Sequence, residues 1–188
     1  YLIPEIADDL ASGHNRITTV ISECHSMYRQ DGPEAERPLG ETEFVTGCAA
    51  MAASGSFGPT RACAAMFGGV DMTLGAAARP ILEQHLERSG GRFKGVRYST
   101  GWDASDRIPN VVAAEHALTA PAALAAAGVL DEMGLTLDVW LYHPQLADVA
   151  TLAAAMPGLT IVLNHVGSPI LGGPYRDRKD EVFTDWRQ

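Results

Sequence analysis

Apolar positions along this chain alternate between two periods. Short runs rich in β-branched and aromatic residues predict five strands, at Ile17–Cys24, Arg61–Val70, Arg92–Tyr98, Leu135–Tyr142 and Thr160–Asn164. The second of these has the weakest pattern. Between them lie stretches of helical spacing, at Pro4–Ser12, Gly40–Ser54, Leu74–Ser89, Thr119–Met133 and Pro144–Met156, with one more beginning at Lys179. Proline stands near the start of the first and fifth of these helices, and Gly13, Gly90, Gly91 and Gly134 stand where helices should stop. Glu41 and Glu43 place negative charge in a first turn, where the helix dipole favours it.

Strand and helix alternating at this spacing imply βαβ units and a parallel sheet. Neither GxGxxG nor a P-loop occurs, which favours a barrel over a doubly wound sheet. The expected fold class is α/β, a partial TIM (β/α)8 barrel of about five parallel strands with outer helices. A complete barrel needs about 250 residues, so the 188 residues are read as one domain over 1–188, truncated at both ends. The chain opens on Tyr1 in a helical pattern and closes on DEVFTDWRQ inside another.

Barrels place chemistry in the loops after their strands. Two of these loops are long, His25–Leu39 and Ser99–Leu118, whereas helix-to-strand connections are short. Four strand ends carry ionisable groups: His25, Arg97, His143 and His165. His165, in LNHVGSPI, is a catalytic candidate, since imidazole can transfer protons, bind a carbonyl or ligate a metal. His143, in LYHPQL, either points into the mouth as a second catalytic group or caps the strand–helix junction. Arg97 suits a carboxylate, which guanidinium grips with two parallel hydrogen bonds. Tyr98 and Trp102 follow it as candidate pocket walls, and His25, Tyr28 and Arg29 form a second candidate substrate-binding set. His14 and His85 are expected on the wrong face or exposed, and His116 is a weaker candidate in the loop after the third strand. GxSxG and HExxH are both absent.

Composition narrows the partners. A net charge of −9 argues against a nucleic-acid surface, and no apolar run is long enough to span a bilayer. Three scattered cysteines suit neither a disulfide framework nor a CxxC zinc site, and Cys48 and Cys63 read as small buried hydrophobes. A cytoplasmic protein with a small-molecule substrate is expected; association into a homo-oligomer is left open.

The motifs ECHSMYR (Glu23–Arg29), RPLGETEFV (Arg37–Val45), RFKGVRYSTGWD (Arg92–Asp103), WLYHPQL (Trp140–Leu146), LNHVGSPI (Leu163–Ile170) and PYRDRKDEVFTDWR (Pro174–Arg187) together resemble the amidohydrolase-related family. These are described as metal-dependent hydrolases of TIM-barrel fold. The resemblance implies a lactonase-like hydrolase acting on a lactone or ester of a small carboxylated molecule. It implies His165 in the active site and as a ligand of one divalent metal, zinc or manganese, with Arg97 as the carboxylate contact. The family's HxH pair would lie upstream of Tyr1 and its catalytic aspartate beyond Gln188. Relatives that decarboxylate unsaturated or aromatic acids supply an alternative chemistry, and a catalytically silent barrel fragment is a third reading.

Overall fold

The computed structural model describes residues 2–13 and 18–187, so His14 and Ile17 lie outside the described residues. In chain order the elements are α1 (Ile3–Leu10), β1 (Thr18–Ser22), α2 (Leu39–Ala53), β2 (Arg61–Gly69), α3 (Arg79–Arg88), β3 (Phe93–Ser99), α4 (Pro121–Glu132), β4 (Thr136–Trp140), α5 (Leu146–Ala155), β5 (Ile161–Leu163) and α6 (Lys179–Trp186). The five strands are parallel and hydrogen-bonded in the order β1-β2-β3-β4-β5, each neighbour in space a neighbour in sequence. This is the strand order of a barrel that has not closed, with helices between the strands.

Two compact units make up the chain: Tyr1–Val70 with Arg79–Val96, and Asp71–Ala78 with Arg97–Gln188. In the first, Ile3, Leu39, Val45, Met66, Leu82 and Phe93 are buried, and Phe93 stacks on the equally buried His85 at 4.7 Å. That burial corrects the expectation of an exposed His85. Its Nε2–H donates to the Gly69 carbonyl at 3.1 Å, which leaves Nδ1 to accept from the Thr42 hydroxyl at 2.7 Å. In the second unit Leu118, Leu130, Leu137, Val139, Leu141 and Leu152 form the core.

Several element ends shift by one or two residues from the sequence pattern, and three departures have a local cause. The helix expected from Leu74 begins at Arg79, and Met72–Ala78 form 3-10 turns broken at Gly75, whose φ is 59°. Pro80 explains the start, since its missing N–H and fixed φ fit a first turn and nowhere deeper. The weakly patterned second strand is the longest, because it is bulged. Between Thr18↔Arg61 and Val20↔Ala65 it carries extra residues, Cys63 adopts φ 57°, and the Thr19 hydroxyl accepts from the Cys63 N–H at 3.0 Å. The fifth strand stops at Leu163, one residue before the predicted end, where the backbone turns left-handed.

Candidate active site

Three adjacent strands bring together the charged groups of the second unit. β4 carries Asp138 between Leu137 and Val139, which are fully buried; alternation puts the carboxylate on the opposite face, where it is only 2% exposed. Asn164, just past β5, donates its amide to both Asp138 oxygens at 3.0 Å. Arg97, on β3, sets its Nε 3.9 Å from Asp138 Oδ2. A buried carboxylate thus supplies the counter-charge that lets a guanidinium sit within a strand, two residues before β3 ends, where the sequence pattern had put the strand's end.

The same guanidinium reaches His165, with Nη2 3.4 Å from Nε2. Arginine can only donate, so Nε2 accepts and the imidazole proton sits on Nδ1. His165 is exposed, which leaves its ring open to a ligand. Its backbone is unusual: His165, Val166, Gly167 and Ser168 have φ of 49°, 51°, 75° and 39°. Four consecutive left-handed residues, one of them β-branched, cost free energy and occur where surrounding contacts impose them. The Ser168 N–H closes the turn on the His165 carbonyl at 3.0 Å, and the Trp186 indole N–H holds the Val166 carbonyl at 2.6 Å.

The other candidates of this unit are found in different states. His143 is buried at the start of a 3-10 turn, where its Nδ1 accepts from the Ile170 N–H at 3.3 Å and its ring meets Tyr175 edge-on. Burial pushes its pKa down, against the opposing pull of Asp185 and Asp103. Tyr98 is half-buried, and burial, with Asp71 adding to it, pushes its phenol up. Trp102 is half-buried, its backbone N–H bound to Gln145 Oε1 at 2.8 Å. His116 pairs with Asp148 at 3.0 Å.

In the first unit, Glu23 organises the turn after β1. Its Oε1 accepts from the Tyr28 hydroxyl at 2.7 Å and from the His25 N–H at 2.9 Å, and lies 2.8 Å from His25 Nδ1. A carboxylate behind one ring nitrogen fixes the orientation of an imidazole whose side chain is 76% exposed. Tyr28 stacks on His25, and burial, followed by its bond to Glu23, pushes its phenol up. Only glycine at position 69 permits this, since a Cβ there would lie 2.2 Å from the Tyr28 oxygen. Arg29 is engaged by Glu43, its Nε donating at 3.3 Å while Nη2 contacts the other oxygen.

Sequence reasoning passed over Asp138, Asn164 and Glu23 as site residues. The first had a signal, a lone carboxylate inside the apolar run LTLDVWLY, because a buried charge in a strand needs a partner.

The amidohydrolase family model matches residues 6–188. The chain belongs to the amidohydrolase family. Two solved structures of an amidohydrolase from Burkholderia multivorans share its fold. One, with bound HEPES, is 19% identical with a TM-score of 0.53, covering 92% of this chain and 64% of that one. The other, with bound zinc, is 20% identical with a TM-score of 0.58, covering 92% and 63%. This amidohydrolase chain therefore spans a little under two thirds of their length. No curated protein matches it.

Family membership implies a divalent metal, and one of these solved amidohydrolases holds zinc. No group of three or more His, Cys, Asp or Glu side chains able to hold an ion occurs among the described residues. Exposed His165 could supply one ligand nitrogen by giving up the long contact of its Nε2 with Arg97. No helix among the described residues is long and apolar enough to cross a membrane.

Proposed function

We propose that this amidohydrolase hydrolyses a lactone or related ester of a small carboxylated molecule, with Arg97 and His165 as its polar anchors. The observation that carries this reading is the 3.4 Å approach of Arg97 to His165, backed by buried Asp138. A guanidinium beside an exposed imidazole offers a carboxylate clamp and a donor side by side. The substrate carboxylate sits on Arg97, which fixes the ring, and His165 Nδ1–H donates to the scissile carbonyl oxygen as negative charge develops there. His143, tied to Ile170, positions the turn that follows His165. His25, oriented by Glu23, is the first unit's candidate for a substrate contact or proton transfer, with Tyr28 as its stacking partner.

The test is hydrolysis of carboxylated lactones against uncharged analogues. Replacing His165 by Ala lowers kcat by at least about a hundredfold. Arg97→Ala raises KM for the carboxylated substrate and leaves the uncharged analogue nearly unchanged. A near wild-type rate in His165→Ala removes the assignment. Product analysis decides the chemistry: a ring-opened acid with all its carbon supports hydrolysis, and released carbon dioxide replaces it with decarboxylation.

A further inference from the structure

A cleft of about 290 Å³ lies in the first unit, walled by Ala49 and Ala53 of α2, Ala64 of β2 and the Gly90–Gly91 turn. Among the described residues that line it, Arg61 and Arg92 alone carry charge. Arg61 opens β2 and Arg92 immediately precedes β3, so the cleft lies at the N-terminal ends of these strands. The turn that carries His25 follows β1, at the other end of the parallel sheet.

Both guanidiniums are held in place, and neither is neutralised. Arg61 Nη1 donates to the Pro59 carbonyl at 3.0 Å, with longer contacts to those of Ala52 at 3.4 Å and Gly58 at 3.5 Å. Arg92 Nη1 donates to the Ser89 carbonyl at 3.3 Å, and a Cβ on Gly90 would lie 3.0 Å from that nitrogen. Among the described residues neither arginine pairs with a carboxylate, and Nε and Nη2 of each meet no acceptor. Gly90 and Gly91 add backbone N–H groups that likewise have no acceptor among the described residues. Carbonyls fix each side chain without cancelling its charge, so the entropy of ordering it is lost on folding and not on binding.

We infer that this cleft binds a phosphate group, of inorganic phosphate or of a small phosphomonoester, held by Arg61 and Arg92. A tetrahedral dianion offers acceptor oxygens in several directions, which suits donors supplied by two strand ends and a glycine turn. A carboxylate, planar and singly charged, uses fewer of them. The chain as a whole carries a net charge of −9 and repels anions, so the attraction is local to the cleft. The site uses neither Arg97 nor His165, so it stands whether or not the proposed hydrolysis does.

Calorimetric titration of the protein with inorganic phosphate at low salt, with the shift in Tm as a second readout, should give saturable binding with a Kd of about 1 mM. Sodium chloride at matched ionic strength should give no saturable signal, and acetate should bind at least about tenfold more weakly. Ala64→Glu sets a carboxylate in the cleft with both arginines intact, and Arg92→Gln removes one of the two charges. Each should weaken phosphate at least about tenfold while the protein still unfolds cooperatively. Phenyl phosphate separates the two sources: tighter binding than inorganic phosphate marks a phosphomonoester as the occupant, and equal or weaker binding marks free phosphate. No saturable binding of phosphate, acetate binding as tightly as phosphate, or undiminished binding in either folded variant overturns the inference.

Discussion

Asp138 shows how one side chain decides what its neighbours can do. Without a buried anion, Arg97 would turn to solvent, and Asn164 would lose the acceptor that fixes the residue before His165. Asp138→Asn keeps the shape and removes the charge. It should destabilise the protein by about 3 kcal/mol, the cost of leaving one member of a buried pair uncompensated. KM for a carboxylated substrate should rise as well, which denaturant titration and kinetics together would show. His165 and Arg97 were singled out in the sequence as strand-end residues; Arg97 lies inside β3, two residues before it stops, and His165 in the turn after β5. Asp138 and Glu23 were not. Period-2 patterning tells which face a residue occupies, and only the neighbouring strand or turn tells whether a carboxylate there has partners.

At the scale of elements, periodicity located every helix and strand, and the errors fell where local chemistry overrides it. Pro80 delayed α3, and the bulge at Cys63, two extra residues opposite β1, interrupts the alternation of a long strand. Gly167 and Pro169 mark a turn after β5 in the sequence, but its left-handed start at His165 and Val166 carries no glycine signal. That turn stores strain. Val166→Gly removes a β-branched side chain from a left-handed position and should stabilise the fold by about 1 kcal/mol, after the entropy glycine costs in the unfolded chain. The same change should loosen His165 and lower kcat, so Tm and turnover are expected to move in opposite directions. Gly40 poses the reverse case. A Cβ there would lie 2.2 Å from the Met27 carbonyl oxygen and 2.9 Å from the Arg29 nitrogen, both backbone atoms. Gly40→Ala should therefore cost about 1–3 kcal/mol and disturb the turn that holds His25, read as a lower Tm.

For the molecule as a whole, His85 sets a pH dependence. Burial pushes its imidazole down to about 4, from an ordinary value of 6.5. The unfolded chain takes up a proton as pH falls below about 6.5 and the folded one does not, so stability is full above that value and declines as pH drops towards 4. About 3 kcal/mol is lost across the window. Urea unfolding between pH 4 and 7 should show this slope, and His85→Gln should flatten it. Polar neighbours Glu83, Gln84 and Glu87 make exposure one of two expectations for His85, and hide that its own position on α3 is buried. The indole of Trp186 has a consequence of a different kind. It is one of three tryptophans, and its N–H is bonded to the carbonyl of Val166 inside the strained turn. Rearrangement of that turn changes the surroundings of a fluorophore, so the protein carries its own optical reporter beside His165, and a ligand that reshapes the turn announces itself as a change in emission.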